Sequence, residues 1–157
     1  MTSIEIVEAR EGDALEQART LMLEYAESRG FPLSWQGFDE EVASLPGGYA
    51  PPAGRLLLGL LDGRPVGCVA LRRIDDVSCE MKRLYVRPEA RGRGIGRGLA
   101  ERVIDEAGAI GYRAMLLDTL DRMEEAGALY RALGFRTTEP YRYNPLPDVV
   151  YLRLDLE

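Results

Sequence analysis

The chain has 157 residues, of which 46% are hydrophobic and 29% charged. That balance supports one globular domain with its own core and excludes a disordered segment. A net charge of −6 and a pI of about 4.9 leave no basic face for nucleic acid. No apolar run approaches the ~18 residues needed to cross a membrane.

Ile4 to Ala9 alternates apolar and polar residues, which predicts a half-buried strand. Asp13 follows as a candidate N-cap. Leu15, Ala18, Leu21, Met22 and Tyr25 then recur at helical spacing, predicting a helix over 13–28 that Gly30 and Pro32 stop. A second, short helix is expected from Phe38 to Leu45, and the proline-rich stretch 47–54 reads as a loop. Arg55–Leu61 and Pro65–Ile74 form strands around an Asp62-Gly63 turn, and Cys79–Val86 is a third. The period then changes. Ile95, Leu99, Val103 and Ala107 mark one face of a helix closing at Gly111, and Ala114–Leu117 is apolar enough for a strand buried on both faces. Ala126, Leu129, Tyr130 and Leu133 form a last helical stripe, and Phe135–Tyr141 and Val149–Leu156 read as closing strands. No repeat or linker interrupts the chain, so residues 1–157 read as one α+β domain.

The stretch Val86-Arg87-Pro88-Glu89-Ala90-Arg91-Gly92-Arg93-Gly94-Ile95-Gly96-Arg97 leaves a strand and opens a helix. Free N–H groups and the dipole at a helix N-terminus attract phosphate, and glycines let a ligand approach the backbone. Arg87, Arg91, Arg93 and Arg97 add positive charge in an acidic protein, so a pyrophosphate is the natural partner. A P-loop is excluded because no Gly-Lys-Ser/Thr occurs. The dinucleotide fingerprint fails because Arg97 and Leu99 stand where its last glycine belongs. The spacing present is Arg-x-x-Gly-x-Gly, at Arg91, Gly94 and Gly96.

This strand–loop–helix, with Leu129-Tyr-Arg-Ala-Leu-Gly-Phe135 about thirty-five residues later, resembles the GNAT superfamily of acetyltransferases. The resemblance implies a mixed, mostly antiparallel sheet of about seven strands flanked by about four helices, with splayed central strands. It implies acetyl-CoA as co-substrate. Amides of Gly92, Gly94, Ile95, Gly96 and Arg97 would hold its pyrophosphate, with Arg91 and Arg93 beside them. The backbone of Leu84, Tyr85 and Val86 would pair with the pantetheine arm. One departure is Met123, which stands where related sequences often carry an asparagine that touches the cofactor.

Histidine is absent, which removes the commonest acid–base group, and two cysteines alone make no structural zinc centre. An alkylammonium has a pKa of roughly 10.4, so the site must take a proton before an amine can attack. By resemblance Tyr130 is the candidate acid for the leaving thiolate, Glu80 the base acting through water, and the amide near Val86 the oxyanion donor. Asp118 is a weaker candidate base. Lys82, the single lysine, reads as a solvated strand residue, and Cys79 as a small core residue. Cys68 and Cys79 lie close enough in sequence to face each other across a hairpin. The start of the chain shows no basic and then apolar leader, so a cytoplasmic location and free thiols are expected.

In this fold the first helices and the last hairpin usually line the acceptor site. That points to Phe31, Trp35, Phe38, Tyr141, Arg142, Tyr143 and Asn144, with Trp35, Arg142 and Tyr143 as the substrate-binding candidates and Arg142 as a receiver for a carboxylate. The expected activity is N-acetylation of a small-molecule primary amine, without nucleic acid, membrane or metal, in a protein that could form a homodimer. A protein or peptide N-acetyltransferase and a catalytically silent acyl-CoA sensor remain open alternatives.

Overall fold

The computed structural model describes residues 3–30 and 37–156. Seven strands share one sheet: β1 (Ile4–Glu8), β2 (Arg55–Leu61), β3 (Arg64–Arg73), β4 (Ser78–Val86), β5 (Ala114–Leu120), β6 (Arg136–Thr137) and β7 (Val149–Asp155). Their order is β1-β2-β3-β4-β5-β7-β6. Every pairing is antiparallel except β4 with β5. The four α-helices among the described residues are α1 (Gly12–Arg29), α2 (Phe38–Ala43), α3 (Ile95–Ile110) and α4 (Glu124–Ala132). The expected fold class is thus the one observed.

Side-chain alternation divides the core between the two sheet faces. On one face Leu57, Val69, Leu71, Cys79, Met81, Met115 and Leu117 pack with Leu99, Val103 and Ala107 of α3 and with Tyr130 and Phe135. On the other, Leu56, Leu58, Cys68, Ala70 and Tyr85 pack with Leu15, Ala18, Leu21 and Met22 of α1 and with Phe38 and Val42 of α2. Cys68 and Cys79 therefore lie in different halves of the core. Both are free, and burial pushes each thiol up to about 12. Gly67 lets α3 seat on the sheet: a Cβ there would lie 2.9 Å from the Tyr85 carbonyl oxygen and 3.1 Å from Leu99 Cδ1.

Two irregularities in β4 prepare the site. Cys68 pairs with Tyr85 and Ala70 with Lys82, so Val69 faces two residues of β4, Arg83 and Leu84. This bulge turns Arg83 to φ 62°, a left-handed conformation that a non-glycine residue seldom adopts. The Arg83 side chain is buried, donates to both oxygens of Glu41 on α2 at 2.9 Å, and stacks over Phe38. The second irregularity is the parallel pairing with β5. It covers only Ser78–Ala114, Cys79–Met115 and Glu80–Leu116, and beyond Glu80 the two strands part.

One expected strand is mostly absent. Of Phe135–Tyr141, only Arg136 and Thr137 pair with β7. Pro140 has no N–H to give a ladder, and from Tyr141 onward the side chains bond instead to the sheet face beside β4 and β5.

Leu99 is fully buried where α3 crosses β2 and β3. Leu99→Ala is expected to lower the unfolding free energy by about 3 kcal/mol, in the usual range for a buried Leu→Ala change, as a shift of the urea midpoint with the slope unchanged.

Candidate active site

Because β4 and β5 part, a cavity of about 530 Å³ opens between them. At one end it is lined by the loop from Arg91 to Arg97. There Gly92 and Gly94 both take φ 81°, a conformation that glycine adopts without strain. Gly94 is the N-cap of α3 and no side chain caps that end, so the first N–H groups of the helix are left for a ligand. Arg91 donates from Nε to the Val86 carbonyl at 3.0 Å, tying the loop to the strand before it. Leu84, Tyr85, Val86, Arg91, Gly92, Gly94, Ile95, Gly96 and Arg97 line the cavity; Arg93 does not.

The middle of the cavity lies between the open edge of β4 and α4. Tyr130 lines it and is nearly buried, its ring edge-on to Phe135 at 5.8 Å. Burial pushes the phenol well above its ordinary pKa, so it keeps its proton and presents a donor. Met123 caps α4 and lines the cavity too.

The far end is polar. Here β4 and β5 present Lys82 and Asp118 on the face that carries Tyr85, past the C-terminal end of α1, whose Tyr25 and Arg29 line the same cavity, and the segment after β6 folds over them. Arg142 donates from Nη2 to both oxygens of Asp118 at 3.0 Å, and Asn144 donates to the same carboxylate at 3.0 Å. Burial works to raise the Asp118 pKa, yet Arg142 and Asn144 outweigh it and hold the group below the ordinary carboxylate value. Tyr151 of β7 donates to the Arg142 carbonyl at 2.7 Å, fixing the segment from below.

Glu80 is not brought to the cavity. Its side chain is fully buried. One oxygen accepts from Arg72 at 2.9 Å; the other accepts from the Tyr141 hydroxyl and lies 3.3 Å from Arg142 Nε. A base working through water needs an oxygen that faces the acceptor, and both oxygens here face their partners. The reading of Arg142 as a carboxylate receiver meets a similar obstacle. It lines the cavity, but its guanidinium is already engaged by Asp118 and Glu80. Tyr143 is 82% exposed and outside the cavity wall. Phe31 and Trp35 lie outside the described residues, and Phe38 is buried under Arg83.

Lys82 departs furthest from expectation. It is not solvated but 7% exposed, and it lines the cavity. Burial and the neighbouring Arg83 lower its pKa from 10.5 to about 8, against the pull of Glu80. Sequence periodicity could not reveal this, because the covering residues come from a segment sixty positions further on. Among the described residues, no cluster of His, Cys, Asp and Glu could hold a metal, and no helix is long and apolar enough to cross a membrane.

The chain belongs to the GNAT acetyltransferase family, whose model matches residues 16–135. It is 43% identical over 144 residues to an uncharacterised N-acetyltransferase of Schizosaccharomyces pombe, an alignment covering 90% of this chain and 88% of that protein. It is 37% identical over 106 residues to an N-acetylaspartate synthetase of Danio rerio, covering 64% of this chain and 38% of the relative. The fold matches that of a Salmonella typhimurium acetyltransferase solved with acetyl-CoA, with a TM-score of 0.75 and 21% identity over 99% of this chain and 95% of the other. The protein is therefore an acyltransferase of this class.

The state of Asp118 gives a stability test. Its pKa is held below the ordinary 3.8, so its contribution is present at neutral pH and is lost as pH falls below that value. Asp118→Asn is expected to lower stability at neutral pH and to flatten the acid limb of a stability–pH curve measured by urea unfolding.

Proposed function

We propose that the protein moves the acetyl group of acetyl-CoA to a primary amine of a small molecule. The observation that carries this reading is one continuous cavity. It runs from a helix N-terminus framed by Arg91 and Arg97, past Tyr130, to a covered polar end at Asp118, Arg142 and Asn144. In that path the amides of Gly92, Gly94, Ile95, Gly96 and Arg97 hold the pyrophosphate, and the open edge of β4 at Leu84–Val86 pairs with the pantetheine arm as an added strand would. The segment after β6 roofs the acceptor end through its bonds to Glu80 and Asp118. A roofed end suits a small amine better than a protein tail. The name of the Danio rerio relative, an N-acetylaspartate synthetase, is consistent with such an acceptor.

Tyr130 then serves as the proton donor to the leaving sulfur, since its phenol is held protonated beside the cavity. Glu80 acts at a distance, by holding Tyr141 and Arg142 in place.

Thiol release from acetyl-CoA, measured against a panel of amines, tests the reading. Tyr130→Phe is expected to lower kcat about 10²-fold, the usual range for a lost general acid, while CoA affinity by calorimetry stays within about twofold. CoA binding with no thiol release on any amine would favour a silent sensor instead. Gly92→Ala with Gly94→Ala forces two β-carbons into left-handed positions. This double change is expected to weaken CoA binding at least tenfold, at a conformational cost of about 1–2 kcal/mol per residue.

A further inference from the structure

The transferase reading leaves one requirement unfilled, a group that takes a proton from the acceptor ammonium. The cavity wall offers few candidates. Histidine is absent from the chain. Of the carboxylates that line the cavity, Asp118 is tied to Arg142 and Asn144 and held in its ionised form. Glu124 and Glu125 sit exposed on the first turn of α4, past the end of β5. Glu80 does not reach the cavity. The Tyr85 and Tyr130 phenols are held protonated by burial, and Tyr25, on α1, packs its ring edge-on against Tyr85. Lys82 remains. It projects from β4 two residues before Leu84, at the level where β4 and β5 stop pairing, and among the described residues its amine has no hydrogen-bond or ion-pair partner.

We propose that Lys82 is the catalytic base, its neutral amine taking the proton of the acceptor ammonium where the two central strands part. This deepens the transferase reading and rests on it. The charges around Lys82 are Arg72 on β3, Glu80 and Arg83 on β4, Asp118 on β5, Arg142 on the covering segment and Glu41 on α2. Each carboxylate is already bonded to an arginine: Glu41 to Arg83, Glu80 to Arg72 and Asp118 to Arg142. Lys82 is thus the surplus cation of a crowded, desolvated group, and the neutral amine is within reach near physiological pH.

The step balances as follows. The acceptor ammonium gives one proton to Lys82 Nζ and becomes a free amine. The nitrogen lone pair forms a bond to the thioester carbonyl carbon, the C–S bond breaks, and the thiolate takes the proton of Tyr130. The acylated nitrogen loses its surplus proton and restores the phenol. Lys82 releases its own proton to solvent, so the products are the amide, the CoA thiol and one proton.

An acceptor that is already unprotonated needs no base, and this separates a proton-taking role from a structural one. The probes are ethanolamine, an ammonium at neutral pH, and 2,2,2-trifluoroethylamine, which is not. Lys82→Met is expected to lose about 100-fold in kcat/KM on ethanolamine and to stay within about threefold of the native enzyme on trifluoroethylamine. Activity on the second amine also reports that the variant is folded. In the native enzyme, the rate on ethanolamine is expected to rise with pH and level off above about 8, while the rate on trifluoroethylamine stays flat through that range. Equal losses on both amines in a folded variant, unchanged activity on ethanolamine, or a native profile on ethanolamine that keeps rising well past that pH would each overturn the assignment of Lys82. Absence of thiol release by the native enzyme on either amine and across the wider amine panel would overturn the transferase reading and this proposal with it.

Discussion

The function of this molecule depends on a ladder that stops. Strands β4 and β5 exchange parallel hydrogen bonds only as far as Glu80 and Leu116, and then diverge. An intact ladder would close the sheet and leave the two cores with no passage between them. The gap exposes strand backbone that a ligand can satisfy, and it joins the helix N-terminus at Gly94 to the polar face at Asp118. The bulge at Arg83 belongs to the same device. It brings Lys82 and Tyr85 onto one face of β4, although they stand three residues apart.

Keeping such a gap open requires support on its polar side, past the end of α1. The segment after β6 supplies it. Tyr141, Arg142 and Asn144 reach down to Glu80 and Asp118, and Tyr151 reaches up to the segment backbone. Every buried carboxylate there has a cationic partner, as the cost of a lone buried charge demands. The pair of Arg83 and Glu41 does the same on the α2 side and fixes the bulge. Acid–base roles follow from this pairing. Groups that the network binds are removed from proton transfer, and among the described residues the network leaves Lys82 unbound, which is the ground for the role proposed for it.

Much of this was legible in order of appearance. The strands and helices follow from period two and period 3.6, and the Asp62-Gly63 turn, with both residues at positive φ, closes the hairpin between β2 and β3. The glycine-arginine loop was legible as the opening of a helix rich in glycine and arginine, and its Arg-x-x-Gly-x-Gly spacing carried the resemblance to the family. Less legible was the last third of the chain. Phe135–Tyr141 has the composition of a strand, yet its ladder ends early, because Pro140 has no N–H to give and the Tyr141 hydroxyl bonds to Glu80, a partner that local sequence does not display.

The sequence by itself determined the family, the order of elements and the glycine-arginine loop at the start of α3, because each is written in residues that are neighbours along the chain. Which titratable groups face the cavity was decided only by the tertiary structure. Glu80 and Lys82 are two positions apart on one strand and share a face, yet one is bound by Arg72, Tyr141 and Arg142 while the other looks into the gap. Their difference comes from β3, from β5 and from a segment some sixty residues away. Burial and pairing are properties of what folds against a residue, and no local pattern records them.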